Sequence, residues 1–106
     1  MPKYLSRVSY TAEGAKGLLK EGGSSRAAAI SRLIESRGGK VEAFYFATGE
    51  DDLYVITDQP SNVDGAALHF ALAASGALRM KSVELFTPEE IDAATKQDVG
   101  YRAPGA

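Results

Sequence analysis

Between Val41 and Asp58 the chain reads VEAFYFATGEDDLYVITD, two strand-like runs joined across Gly49-Glu50-Asp51-Asp52. In the first run Phe44, Tyr45 and Phe46 stand in succession, so an alternation of period 2 sends apolar bulk to both faces of a sheet. In the second, Leu53 and Val55 share one face while Tyr54 and Ile56 share the other, and aromatic or β-branched residues suit a packed, pleated surface. Gly49 offers the positive φ of a tight connection, with the acidic residues solvated at its tip. Lys3 to Tyr10 reads as the first strand, with Tyr4, Val8 and Tyr10 on one face and Leu5, Arg7 and Ser9 on the other. An arginine there needs a partner or a watery cavity, so Arg7 is either half of a structural ion pair or an anchor for an anionic ligand.

Helical spacing governs the rest. Thr11 is a suitable N-cap, followed by Glu13 in the first turn, where a carboxylate favours the helix dipole. Ala15, Leu18, Leu19, Ile30, Leu33 and Ile34 can share one stripe, but Gly22-Gly23 interrupts the run and Ser24-Ser25 offers a fresh cap. A short helix, a break, then a longer helix to Arg37 is expected, stopped by Gly38-Gly39. Pro60-Ser61-Asn62 opens a third helix from Val63 to about Ser75. In it Val63, Ala66, Ala67, Phe70, Ala71 and Ala74 form a small-residue stripe that the spacing assigns to the core, leaving Leu68 and Leu72 off it. His69, the one histidine, projects roughly 130° from that stripe and is expected near the surface or a helix edge. Ala77 to Phe86 reads as a last strand with a charged, edge-like half. Thr87-Pro88-Glu89-Glu90 is a complete helix start, predicting a short flanking helix to about Lys96.

The order strand, helix, strand, strand, helix, strand predicts an α+β fold: a ferredoxin-like βαββαβ antiparallel sheet with its helices on one face. The opposite face would then be bare and apolar. Burying several hundred Å² of it at ~25 cal/mol/Å² is worth several kcal/mol before association costs, so a homodimer packing sheet against sheet is expected. Residues 1–96 are expected to form one domain and 97–106 a flexible C-terminal tail.

Composition narrows the chemistry. There is no cysteine in the 106 residues, which excludes disulfides, thiol nucleophiles and thiolate metal sites and makes a cytoplasmic setting the default. No apolar run approaches the ~20 residues of a membrane span, and no secretory h-region opens the chain. Lys plus Arg number 12 against 14 Asp plus Glu, a formal net charge of −2, and VEAFYFAT lacks the basic character of an RNP1-like strand, so no nucleic-acid partner is expected. Lys16, Lys20, Arg26, Arg32, Arg37 and Lys40 gather in one third of the sequence, most of them spaced as the outer face of helices, and read as a solvated surface in preference to the alternative, an anion-binding patch. Glu50-Asp51-Asp52 has oxygen ligands but not the spaced loop of a calcium site, and no metal or cofactor is expected.

Tyr4-Leu5, Tyr10-Thr11 with Glu13-Gly14, Gly38-Gly39, the aromatic strand ending at Gly49, and Leu85-Phe86-Thr87-Pro88-Glu89-Glu90 occur in an order that resembles the GYD-domain proteins. In the Gly-x-Tyr-Asp-like turn of that family Gly49 and Asp52 match, while Asp51 stands in the tyrosine's place. The resemblance implies a dimeric α+β barrel, ferredoxin-like, in a family without a settled biochemical function. Two functions follow as expectations. One is a binding module holding a small molecule in a chamber between the two sheets, oriented by Arg7, Tyr10, Tyr45 and Tyr54. The other is a cofactor-independent enzyme of the monooxygenase, isomerase or degradative type, with His69 and Asp52 as acid–base candidates and Arg7 stabilising negative charge.

Overall fold

The computed structural model describes residues 1–106. Its elements are β1 (Lys3–Tyr10), α1 (Ala12–Glu21), α2 (Gly23–Ser36), β2 (Lys40–Phe46), β3 (Leu53–Asp58), α3 (Asn62–Ala74), β4 (Leu78–Leu85) and α4 (Pro88–Thr95). The four strands form one antiparallel sheet in the order β2-β3-β1-β4. This is the ferredoxin-like α+β arrangement expected from the pattern, with β1 and β3 central. No helix is long and apolar enough to cross a membrane.

Register settles which side chains share a face. Val8 pairs with Leu53 and Met80, Ser6 with Val55 and Ser82, and Tyr10 with Leu78, so this set lies on the helix-covered face. Phe44 pairs with Val55 and joins it, while Tyr45, paired with Tyr54, lies on the open face. Val8, Leu53, Val55 and Leu78 make the buried core, with Phe44, Leu72 and Met80 packed against it. A bulge between Val41 and Ala43 frees Glu42, whose carboxylate accepts from Lys3, as does Asp58 at 2.9 Å.

Caps fix the helix ends. Thr11 Oγ1 accepts from the Gly14 N–H at 3.3 Å, Ser61 Oγ accepts from the Asp64 N–H at 3.1 Å, and Thr87 and Glu90 close a reciprocal capping box. The α1–α2 break turns on Gly22, whose φ of 86° suits glycine alone; it serves as the cap in place of Ser24-Ser25, and Ser25 instead donates to Glu21. That turn also divides the expected stripe: Ile34 is buried, whereas Leu19 and Leu33 face solvent. Gly49 does not take a positive φ. The hairpin connection is longer than a tight turn and is closed by the Ala47 N–H donating to the Asp52 carbonyl at 2.8 Å.

The largest departure is the rotation of α3. Leu68 is buried and Leu72 packs on the core, while Phe70 and Val63 are 70% and 73% exposed and Ala66, Ala67, Ala71 and Ala74 are exposed as well, Ala66 and Phe70 at the rim of a cavity between sheet and helices. The leucine face is the inner one: Leu68 and Leu72 fill the space between α3 and the sheet beside β4, which short alanine side chains would fill less well. Beyond β4 the chain leaves the sheet. Every residue from Phe86 to Ala106 is exposed, α4 included, so α4 does not flank the core. The radius of gyration is accordingly 17.0 Å, against about 13 Å for a compact chain of this length.

Candidate functional site

The two long helices stand apart. α2 packs over β2 and α3 over β4, and the ion pair Arg37–Asp64 at 3.7 Å joins them at one end. The central strands are therefore the floor of a cavity of about 300 Å³, in the lower range of small-molecule sites. Ser6, Val8 and Val55 lie on the floor; Ile30 and Ile34 of α2 and Leu68 of α3 line its helical walls. Gly65 brings α3 onto the Tyr4 ring, where a Cβ would lie only 3.1 Å from the ring edge.

Polar groups reach the cavity at separate points. Midway, His69 Nδ1 lies 3.4 Å from Ser82 Oγ, which is 2.9 Å from Ser6 Oγ. No carboxylate orients the imidazole, and the His–Ser separation exceeds the ~2.6–3.2 Å of an engaged nucleophile and base. The group can exchange a proton or hydrogen-bond a guest but is not a nucleophilic triad. At one end stand Tyr10 and Arg26. Burial pushes the Tyr10 hydroxyl above its usual value of 10.0, the nearby Asp52 and Glu21 carboxylates add to this, and the Arg26 guanidinium opposes it. At the other end Gln59 donates to Thr57 Oγ1 at 3.2 Å, both residues buried.

Of the four expected ligand residues, Tyr10 alone lines this cavity. Arg7, Tyr45 and Tyr54 are brought together, as neighbours in one row across the open face that ends at Lys81. Arg7 has a structural partner there, Asp51, at 3.9 Å. His69, expected at the surface, is half-buried and faces the cavity, because the inverted rotation of α3 carries it inward. Asp52 is not beside it. Its carboxylate accepts from the Tyr10 N–H and its own N–H donates to the Val8 carbonyl, each at 2.8 Å, a clamp on the end of β1. Tyr10 and Ser6 are four residues apart on that strand, so about 13 Å separates the Asp52 clamp from the His69 group.

Arg26, Ser6 and Ser82 escape the sequence reading. Signals for two of them exist: Arg26 precedes Ile30 and Ile34 at successive steps of four, and Ser6 alternates with Tyr4, Val8 and Tyr10.

A family profile described as the GYD domain matches residues 4–95. The chain belongs to the GYD domain family. Comparison with curated proteins and with solved structures returned no match. In this GYD domain Asp52, the residue that fits the family turn, has the backbone-clamping role just described. Asp51, in the tyrosine's place, accepts from Ser9 Oγ at 3.2 Å and faces Arg7.

Proposed function

We propose that this GYD domain is a homodimeric small-molecule-binding protein whose guest occupies the cavity between sheet and helices. The observation that carries the reading is the cavity: a largely apolar lining with a few polar groups at separate points, formed within one chain. A chamber between two sheets would instead be floored by Arg7, Tyr45 and Tyr54, and this reading assigns that face to dimerisation. Tyr45 is 72% exposed, and Tyr54 and Val83 also show apolar surface to water, a cost that a second copy's sheet relieves. The chain's lack of cysteine fits a reducing, cytoplasmic setting.

Native mass spectrometry with thermal melts across a metabolite panel tests both parts. The expected result is a dimer whose melting temperature rises with at least one metabolite, because a ligand selective for the folded state must stabilise it. A monomer at micromolar concentration removes the dimer, and melts unmoved by the whole panel remove the binding role.

A second reading is favoured by His69 facing the cavity beside Ser82: a cofactor-independent enzyme in which the imidazole moves a proton on the bound guest. Turnover of a metabolite that shifts the melt, if unaffected by His69→Gln, excludes it.

A further inference from the structure

Arg26 carries a positive charge into a largely apolar cavity, and no carboxylate lies within 4.0 Å of its guanidinium. The two acids that act on the neighbouring Tyr10 hydroxyl have other partners. Asp52 is held by the Tyr10 backbone N–H at 2.8 Å, and Glu21 accepts from the Ser25 hydroxyl at 3.2 Å. Beside the guanidinium stands the Tyr10 hydroxyl, whose oxygen can accept from Arg26 while its O–H, protonated at ordinary pH, remains free to donate to an anion. Val8, Leu53 and Leu78 continue from this end as an unbroken apolar surface. A cation without a counter-ion at the end of an apolar slot is one half of a recognition pair.

We infer that the cavity takes a small carboxylic acid with an apolar body, its carboxylate on the Arg26 guanidinium and the Tyr10 hydroxyl. The inference rests on the cavity-binding reading above and adds the ligand's chemical class. A planar carboxylate matches the guanidinium fork and brings the single negative charge that one arginine balances. A phosphate dianion would leave charge uncompensated in a largely apolar space, since Arg7, Arg79 and Lys81, cations of the neighbouring strands, lie on the opposite face. The apolar body lies over Val8 toward Ser6, so its length is limited to about 13 Å before it reaches the His69–Ser82 group.

The test uses two matched pairs of probes, 3-phenylpropionate with 3-phenylpropan-1-ol and hexanoate with hexan-1-ol, titrated into the full chain by calorimetry. Amide NMR shifts locate binding at Val8 and His69. Wild type is expected to bind each acid at least about tenfold more tightly than its alcohol, the usual worth of a charge-assisted pair. Arg26→Gln should bring the acid down to the alcohol's affinity while leaving the alcohol unchanged, which also shows that the variant keeps its cavity. Tyr10→Phe should lose part of the acid's advantage. Equal binding of acid and alcohol by wild type, or an acid preference that survives Arg26→Gln, overturns the carboxylate inference and leaves the cavity reading standing. If neither member of either pair shifts Val8 or His69, the carboxylate inference falls, and the cavity reading falls with it only where the metabolite panel also leaves the melt unmoved.

Discussion

Arg7 and Val8 are neighbours on β1, yet Val8 is 3% exposed beneath the helices while the Arg7 side chain is 45% exposed on the open face. The same alternation runs through β3, where Leu53, Val55 and Thr57 are buried and Tyr54 looks out. The two faces are not a core and an ordinary surface. On the covered face, helices held apart over the edge strands leave apolar residues around an interior space with a cation at one end. The open face carries aromatic and aliphatic groups together with the row Tyr45, Tyr54, Arg7, Lys81, in which Asp51, 3.9 Å from Arg7, offsets one of two adjacent cations. Under the proposed function the first face admits something small and the second is covered by something large. That division separates the two halves of the proposed function and lets each be broken without the other.

The largest expected effect lies on the covered face. Leu68→Ala removes a buried side chain from α3 and should cost about 2–5 kcal/mol in chemical denaturation. Phe70→Ala, two residues on and outward, should change stability by less than about 0.5 kcal/mol in a single chain. Costs in the reverse order would mean that α3 packs through its alanine stripe after all, and would take His69 out of the cavity.

Next in size is the open face. Tyr54→Lys sets a third cation beside Arg7 and Lys81 in the centre of the proposed dimer surface. Sedimentation velocity is expected to show the dimer weakened about a hundredfold, roughly 2.7 kcal/mol of association, with probe binding in the cavity retained. An unchanged dimer would move the interface elsewhere, the outward stripe of α3 or the exposed α4 arm being the other apolar surfaces. Loss of cavity binding together with the dimer would show that the two faces are not independent.

Much of this contrast was legible in the residues. Alternation in YLSRVSY and LYVIT assigns every side chain of the central strands to its face, since a strand's period is unambiguous once its ends are known. Caps at Thr11, Ser61 and Thr87 mark helix starts because their hydroxyls have one local use. The orientation of α3 was not legible, for a physical reason. NVDGAALHFALAA is apolar almost all round, so the 3.6 period yields two candidate faces, and the choice between them depends on how far the helix stands from the sheet. That distance is a tertiary quantity. The error carried His69 to the surface and left Arg26 among the solvated cations, although its spacing with Ile30 and Ile34 places it on the inner face. Asp52 shows the opposite failure: acid–base capacity is visible in the residue type, while its commitment to the backbone of β1 appears only when the hairpin closes on that strand.

The smallest expected effect probes the polar end of the covered face. Burial, aided by Asp52 and Glu21 and opposed by Arg26, makes the folded chain hold the Tyr10 proton more tightly than the unfolded chain does. Below pH 10 both states are protonated and this group adds no pH dependence. As pH rises past 10 the unfolded chain ionises first, so folding loses stability until the folded-state value is passed as well. Lys3 titrates in an overlapping range: hydrogen bonds to Glu42 and Asp58 raise its value, and the stability they confer is lost as pH climbs through it. The wild-type alkaline slope therefore has two sources, and Tyr10→Phe isolates one of them. Melts from pH 9 to 11.5 should show the variant falling less steeply than wild type, by well under ~1 kcal/mol because the hydroxyl keeps some solvent contact. Identical slopes would mean that the Tyr10 hydroxyl is as well solvated as one on the open face, and the polar end of the cavity would then be water-filled rather than poised for an anion.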